Sequence, residues 1–427
     1  MKKPVSPRPS VSPLRLPSGL TEAKKAYPVY FVNLAQSDLK ESKTIKKVNE
    51  AIFEVLCRIH VPEIRGKTLL KVHVGEPKCT TRMRPEFVAG STRFLQYRGA
   101  TSVVAGDTTV AYSGPRGHRQ NPVGKTAKYV NLARAHGWSV SGPAGVPFVV
   151  LDRPSTAIPS AFEFQKEQDC IKLRNIRRFT DFFPAGGFLE ADFLINHAHL
   201  TLHGLAGLAG CIKSIAMGCS ALNGKLRMHK SLLPLFNFTL CKKCGLCARN
   251  CPEEALVVGA EDKTPALIAE KCIGCGECVA VCANRAVQLR GSDISDWKRG
   301  EKTLPERMVD YTLGLMQGRW ERIIHVLHMY TITELCDCVD KKQVPIVHDL
   351  GFLLSKNPFA IDKTAALLLA QSLEPDQMKI NAEKFAAAEA TADYVKKNYR
   401  IITDAPLYTI FLTDAAVGKA SSLSGIS

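Results

Sequence analysis

Cys241-Lys-Lys-Cys244-Gly-Leu-Cys247-Ala-Arg-Asn-Cys251-Pro252 and, 31 residues on, Cys272-Ile-Gly-Cys275-Gly-Glu-Cys278-Val-Ala-Val-Cys282 are two copies of one pattern. Each reads C-x2-C-x2-C-x3-C, the run that holds 4Fe-4S cubanes in bacterial two-cluster ferredoxins. Three thiolates at short steps wrap one cube, and Gly245, Gly274 and Gly276 let backbone N–H groups approach the sulfurs. The fourth cysteine of each run reaches the other cluster. The spacing therefore gives one cluster Cys241, Cys244, Cys247 and Cys282, and the other Cys272, Cys275, Cys278 and Cys251. Structural zinc is the competing reading. Zinc modules usually set two C-x2-C knuckles across a longer loop, and thiols packed this densely suit a cube better than one tetrahedral ion. Pro252 closes the first run, whereas Ala283 stands at the matching place in the second. That difference touches a turn and no ligand.

The chain is long enough for two to three domains. Hydrophobic residues make up 45% of its 427 residues and charged residues 23%, the balance of a soluble globular protein. No apolar run approaches the roughly 20 residues that span a bilayer. The segment 1–18 is basic and rich in Pro and Ser without an apolar core, which reads as a disordered tail and not a secretory signal. Beyond the eight cysteines of the two runs, the others of the 15 (Cys57, Cys79, Cys170, Cys211, Cys219, Cys336 and Cys338) show no disulfide framework in their spacing. Reduced thiols and oxygen-sensitive clusters together predict a cytoplasmic protein. The formal charge is +17, and two clusters with their thiolates would bring it to about +13. The Lys and Arg are scattered, with no nucleic-acid motif. The expected partner is a redox protein or a small anionic substrate, with no nucleic acid and no membrane span.

Read in order, Val29–Asn33, Leu69–Val74, Thr101–Ala105, Pro147–Leu151 and Asp192–Asn196 are apolar strands. Helices alternate with them. One carries Ile45, Val48, Ile52, Val55 and Leu56; one opens at Pro85 and stops at Gly99; one starts at Asn121-Pro122 and ends near Gly137. After the cysteine runs, with Ala266–Ala269 as a short strand between them, Leu304, Met308, Tyr311 and Leu315 mark a helix. Ile323–Met329 and Val344–Asp349 resume the strands, Lys363–Ser372 is a helix, and an alanine-rich helix follows Pro375. This predicts an α/β fold with a largely parallel sheet, interrupted by a small α+β two-cluster ferredoxin-like domain. The boundaries are a tail at 1–26, the first α/β part at 27–232, the insert at 233–291, the completing α/β part at 292–375, and a helical extension and tail at 376–427.

Ligands in such sheets sit beyond the carboxyl ends of strands. Three runs fall there: Gly75-Glu76-Pro77-Lys78-Cys79-Thr80-Thr81, Gly106-Asp107-Thr108-Thr109, and His197-Ala-His199-Leu-Thr-Leu-His203 with Gly204, Gly207 and Gly210. The histidines suit metal ligation or proton transfer, or plain polar packing; His203 reads as opening a glycine-rich helix. Lys213, in an apolar Gly/Ala/Ile helix, is either a buried lysine that binds a carboxylate or phosphate or one that snorkels to the surface. Cys336 and Cys338 project to one side if extended, as a metal site, a redox pair or buried small residues. Asp349 ends a strand and suits a ligand or base; Asp362 precedes a helix and suits an N-cap. The stretch from Gly117 to Thr126 fails the phosphate-loop spacing, and the glycines after His203 run G-x-x-G-x-x-G, so no flavin or nicotinamide site is evident.

The chain resembles the family called domain of unknown function 362. The residues that carry the resemblance begin with Lys71-Val-His-Val-Gly75-Glu76, Thr80-Thr81-Arg82-Met-Arg84-Pro85-Glu86, Arg98-Gly99-Ala100 and Glu190-Ala-Asp192-Phe-Leu-Ile-Asn196. They continue with His203-Gly204, Lys213, Met217-Gly218-Cys219, Gly224-Lys225 and Met228-His229, then both cysteine runs and Glu306-Arg307-Met308. Cys336-Asp337-Cys338, Pro345-Ile346, Asp349-Leu-Gly351 and Asp362 complete them, over roughly Val29 to Ala370. The resemblance implies an iron–sulfur protein and leaves the substrate unnamed. The resulting expectation is an iron–sulfur oxidoreductase that relays electrons through two 4Fe-4S clusters. Its site would lie near His199, His203, Lys213, His229, Cys336, Cys338 and Asp349, with Lys213 holding an anionic group and a histidine moving the proton. The contrasting expectation is a carrier without chemistry, docking redox partners through Lys242 and Lys243.

Overall fold

Stretches such as Phe193-Leu-Ile195 and Ile323-Ile-His-Val-Leu327 have no solvent face, as strands covered on both sides require. The computed structural model describes residues 24–427 except 35–36, 111–113, 155–161, 163, 205, 230–232, 250, 252–253, 270, 273–277, 279–281, 283, 285, 290–303, 413–420 and 423–427. Its strands are β1 (Val29–Asn33), β2 (Lys67–Lys71), β3 (Ser102–Asp107), β4 (Phe148–Val150), β5 (Ile171–Lys172), β6 (Asp181–Phe182), β7 (Phe193–His199), β8 (Thr201–His203), β9 (Gly207–Ala209), β10 (Pro234–Phe236), β11 (Leu256–Val258), β12 (Pro265–Leu267), β13 (Val287–Leu289), β14 (Ile323–Met329), β15 (Gly351–Ser355), β16 (Leu407–Phe411) and β17 (Ser421–Ser422). The helices are α1 (Ser42–Arg58), α2 (Ala89–Tyr97), α3 (Ala127–Ala135), α4 (Gly186–Glu190), α5 (Cys211–Ala216), α6 (Leu222–Met228), α7 (Leu246–Arg249), α8 (Leu304–Met316), α9 (Pro358–Ser372), α10 (Pro375–Ile380) and α11 (Ala382–Tyr399).

Among the described residues, nine strands form one sheet in the order β17-β16-β1-β15-β14-β7-β2-β3-β4. The run β14-β7-β2-β3-β4 is parallel, as is β16 with β1. Only β15 and the edge strand β17 run against their neighbours. The fold is therefore mixed α/β with a large, mostly parallel sheet that draws strands from both sides of the cysteine runs. Alternate residues sort onto two faces. Leu70, Ala105, Phe148, Ile195, Ile324 and Phe352 pack with α1, α2 and α3. Leu69, Val104, Val149, Leu194 and Ile323 pack with α5, α8 and α11, and Leu327 and Leu353 pack with α9. Truncating one such side chain to alanine costs about 2–5 kcal/mol, because the close-packed layers cannot collapse into the hole. No helix among the described residues is long and apolar enough to cross a membrane.

The antiparallel course of β15 sets up the rest. Residues 330–350, which join β14 to β15, must lie at the carboxyl end of β14, where β7, β2 and β3 also end. The β8–β9 hairpin runs beside this segment: the Leu200 N–H donates to His328 O at 2.9 Å and the Leu202 N–H to Thr333 O at 2.9 Å. The loop after β2 joins from the other side, the Glu76 N–H donating to Asp337 O at 3.2 Å.

Several local expectations change. His203 closes β8 and does not open a helix; Gly207, at φ +74°, turns the hairpin, and a Cβ there would sit 2.5 Å from Lys384 O of α11. The strand expected at Val344–Asp349 is loop, and pairing starts at Gly351. Pro345 has no N–H to give a ladder, and Val344 is exposed. The strand expected to reach Val74 ends at Lys71, and the helix expected from Asn121 begins at Ala127. There the Asn121 side chain instead donates to Pro115 O and Gly117 O. Residues 407–411, expected in a helical extension, are a sheet strand beside β1. The expected tail at 1–26 lies, up to residue 23, outside the described residues.

Asp362 is not the cap of its own helix, whose N-cap is Asn357. Its carboxylate reaches across to α5 and accepts from the N–H groups of Cys211 at 2.7 Å and Ile212 at 2.9 Å. Those are buried orphan donors of a first turn. Replacing Asp362 by alanine is expected to destabilise the protein by about 1–3 kcal/mol, since both donors lose their partner where water does not reach. Urea denaturation of Asp362→Ala against Asp362→Asn, which keeps one acceptor and should fall between, measures it.

Candidate functional site at the carboxyl end of the sheet

Cys336, Asp337 and Cys338 stand at the centre of the segment that β15 forces to this end. The two cysteines are joined as a disulfide with Cα atoms 5.3 Å apart. Their sulfurs and a ring nitrogen of His203 all lie within 4.8 Å of one another, a grouping that could hold a metal ion only with the disulfide reduced to thiolates. Lys213, projecting from the first turn of α5, brings Nζ to 3.9 Å from Cys338 Sγ. Asp337 points the other way. Its Oδ2 lies 2.7 Å from His199 Nδ1, and its Oδ1 accepts from the Cys79 thiol at 3.5 Å. His199 Nε2 lies 2.7 Å from Tyr330 O.

These contacts fix charge states. A carbonyl and a carboxylate both only accept, so both nitrogens of His199 carry protons and the ring is an imidazolium. Burial opposes this, but Asp337 and the Tyr330 carbonyl overcome it and raise the His199 pKa. Burial likewise opposes the Asp337 carboxylate, and His199 holds its pKa below the usual value. His203 behaves in the opposite way. Burial, with Lys213 and His229 nearby, drives its pKa well down. The Ala206 N–H donates to its Nδ1 at 3.1 Å, leaving the ring proton on Nε2. Burial lowers the Lys213 ammonium to about 8 and pushes the Cys79 thiol, beside Asp337, up to about 12.

A second set of charges braces the loops after β2 and β3. Lys71 meets Asp107 Oδ1 at 3.0 Å, and Arg116 bridges Asp107 Oδ2 at 3.1 Å to Glu76 Oε1 at 3.0 Å. The Tyr129 hydroxyl donates to Asp107 at 2.7 Å. Burial would raise the Asp107 carboxyl, yet Lys71 and Arg116 outweigh it and hold it far below the carboxylate range. Lys225 donates to Thr108 Oγ1 at 2.5 Å, Thr109 O at 2.7 Å and Ser220 O at 2.9 Å. On the outer side of the β2 loop lies an open cleft of about 590 Å³ lined by Arg82, Arg84, Arg134, His136, Ser139 and Ser141. Arg82 Nη1 donates to Cys79 O at 2.9 Å, while its buried Nε has no hydrogen-bond partner among the described residues.

The structure brings the sequence candidates together. His199, His203, Lys213, Cys336 and Cys338 share the contacts above. His229, at the end of α6, lies near enough to His203 to help lower its pKa, and Asp349 near enough to His199 to help raise it. Asp349 Oδ1 also accepts from the Thr331 N–H at 2.7 Å, pinning a residue at φ +43°. His197 faces inward to His328 at 2.8 Å and stays neutral, burial lowering its pKa to about 3. Sequence reading gave no site role to Asp337, Lys71, Arg116 or Lys225, although all but Arg116 stand among the residues that carry the family resemblance. Asp337 lies between two chosen cysteines, and the others follow or face strand ends, which was the available signal.

Four cysteines of the two runs form a separate group. Cys247 and Cys278 are buried with Leu256 and Val287 in a small core, and Cys251 and Cys282 pack against it. The strand pairs β10–β13 and β11–β12 frame it. The Ala255 N–H donates to Cys251 Sγ at 3.2 Å, the Ala286 N–H to Cys282 Sγ at 3.2 Å and the Lys243 N–H to Cys241 Sγ at 3.4 Å. Gly245 adopts φ +68° beside Cys244. Cys275 lies outside the described residues.

Fold and site define a mixed α/β protein whose polar centre gathers where its central parallel strands end. Residues 68–367 match the family model described as domain of unknown function (DUF362), and the chain belongs to that family. No curated protein matches the chain. Among solved structures, a Thermotoga maritima protein from a structural genomics consortium is similar at 9% identity and a TM-score of 0.34, over 83% of this chain and 59% of that one. The lactate racemase apoprotein from Thermoanaerobacterium thermosaccharolyticum is similar at 10% identity and a TM-score of 0.32, over 73% and 55%. The chain thus spans less than two thirds of either structure.

Replacing Asp337 by asparagine is expected to cost about 3–5 kcal/mol, since a buried imidazolium loses its counter-charge. The His199 share, from a raised pKa, is complete below the unfolded value of about 6.5 and disappears as pH rises through the folded value. The Asp337 share, from a lowered pKa, is complete above the unfolded value of about 3.9 and disappears as pH falls through the folded value. The wild-type advantage over Asp337→Asn should therefore be greatest between about pH 4 and 6.5. Urea midpoints across that range test it; an advantage that grew above pH 8 would contradict the charged pair.

Proposed function

We propose that the chain is an iron–sulfur oxidoreductase in which two 4Fe-4S clusters, held by a ferredoxin-like segment within the α/β fold, exchange electrons with the site around Cys336, Asp337 and Cys338. The observation that supports it most is the matched pair of sulfur contacts. In each run the last cysteine accepts an N–H four residues on, from Ala255 and from Ala286. Such N–H donors stabilise the negative charge that thiolates and a reduced cluster carry. The residues present fit the group: Cys241, Cys244, Cys247 and Cys282 would hold one cluster, and Cys272, Cys275, Cys278 and Cys251 the other. Bound there, the clusters would supply one-electron storage, a chemistry no side chain of the site offers.

The chain's own residues do the rest. Asp337, fixed by His199, holds the cysteine pair in place. Lys213 and the cleft arginines present cationic donors to a small anionic substrate. His203, neutral with its proton on Nε2, is the residue able to donate a hydrogen bond to a developing negative charge, whereas the imidazolium of His199 is committed to two acceptors.

Metal analysis and EPR of anaerobically purified protein test the reading. About eight irons per chain, with coupled signals on dithionite reduction, are expected. About two zincs and no iron would end the electron-transfer reading. Partner reduction unchanged by His203→Ala and Lys213→Met would instead favour a carrier docking through Lys242 and Lys243.

A further inference from the structure

The chain's buried single cysteines show what an inert thiol looks like here. Cys79 donates to Asp337, and Cys211 is raised well above the usual thiol range by burial and by Asp362. Cys219 is also pushed up to about 12, chiefly by burial. Each stands without a partner sulfur, and the first two meet a carboxylate, which opposes the thiolate. Cys336 and Cys338 differ on every count. They have each other, and Cys338 meets an ammonium and is partly exposed.

We propose that Cys336 and Cys338 are a redox-active pair that cycles between disulfide and dithiol, with Cys338 as the reactive sulfur and Lys213 as the positioning residue that stabilises its thiolate. The proposal deepens the reading above, making this pair the two-electron acceptor that the one-electron clusters serve. The local charges favour it. Asp337 lies between the two cysteines, but its carboxylate is answered by the His199 imidazolium at 2.7 Å. What remains beside Cys338 is the cation of Lys213. The backbone is held as well: Asp337 O accepts from Glu76, and the Val339 N–H donates to Cys336 O at 3.0 Å, closing a turn that keeps both sulfurs on one side.

The balance is simple. The S–S bond takes up two electrons and two protons, and two thiols form; the reverse returns both. An iron–sulfur donor delivers one electron at a time, so two such centres match one disulfide without a further cofactor. A ring nitrogen of His203 lies within 4.8 Å of both sulfurs, so the neutral ring is near enough to answer negative charge as it develops on the leaving sulfur.

The test uses the full-length, iron-loaded chain in anaerobic dithiothreitol buffers of set reduced-to-oxidised ratio. Thiols are trapped by alkylation, and the peptide holding Cys336 and Cys338 is read by mass spectrometry. The two cysteines are expected to titrate together as one two-electron couple while Cys79, Cys211 and Cys219 stay protected, which also reports an intact fold. Lys213→Gln should move the equilibrium toward the disulfide by about tenfold, equivalent to about 30 mV, and Lys213→Arg should restore it. Two cysteines that label independently at every ratio would overturn the couple. Labelling only after a chelator removes a bound metal would overturn it too and make the grouping with His203 a metal site. An unmoved equilibrium in Lys213→Gln would remove Lys213 from the proposal. A second arm adds viologen radical to wild type and to a Cys247→Ser chain. A couple that titrates with dithiothreitol but takes no viologen electrons in wild type would overturn its place as the clusters' acceptor. Iron content and EPR, measured separately, report whether the cluster reading itself has failed.

Discussion

Asp337 is a carboxylate with 4% of its surface exposed, and the arrangement at the carboxyl end of the sheet depends on how that charge is met. Leaving it unpaired would cost several kcal/mol. His199 meets it from the end of β7, and the price falls on His199, which must stay protonated in a buried site. Tyr330 O makes that tolerable by accepting the second ring proton. The pair thereby ties β7 to the connection between β14 and β15. Since the same connection carries both cysteines, their position is set by an ion pair neither of them joins.

The inner network of Lys71, Asp107, Arg116 and Glu76 follows the same rule on a larger scale. Buried ion pairs seldom add stability over well-packed apolar residues, so their value here is positional. Lys71 and Asp107 end β2 and β3, Glu76 and Arg116 lie in the loops that follow them, and only one loop arrangement satisfies all four together. Exposed pairs such as Lys25–Glu321 at 3.0 Å are different, since water screens them and holding two long side chains in place costs entropy.

The sheet was legible because its strands are covered on both faces and so read as apolar runs; Val29–Asn33 and Ile323–Met329 were placed to the residue. Val344, Ile346 and Val347 gave the same apolar signal without a ladder to join, because periodicity does not register that Pro345 lacks a donor. His203 was misread as a helix start for a related reason. Gly204, Gly207 and Gly210 suit any left-handed or close-packed backbone, and only the approach of α11 at Gly207 makes a hairpin of them. Residues 407–411 lay too far along the chain for their pairing with β1 to be read locally. The candidate site was legible as a set of strand ends. Asp337 was not, since its role comes from His199, 138 positions away in sequence.

What the site offers to solvent follows from which charges remain unanswered inside it. Asp337 is matched by His199, Asp107 by Lys71 and Arg116, and Glu76 by Arg116. Asp152 is matched by the Thr109 N–H at 2.9 Å and the Thr109 hydroxyl at 2.5 Å. The acids are therefore turned inward. The groups lining the adjacent cleft include the donors Arg82, Arg134 and the hydroxyls of Ser139 and Ser141. A cation would meet repulsion there and find no carboxylate other than Glu86, which Arg84 holds at 2.7 Å. An anion would meet directed N–H groups in a partly desolvated cleft, where charge-assisted hydrogen bonds are strongest. The link from that cleft to the cysteine pair is short and physical: Arg82 donates to Cys79 O, and the Cys79 thiol donates to Asp337. An anion that repositioned Arg82 would act first on Cys79, and through it on the carboxylate that holds both sulfurs in place.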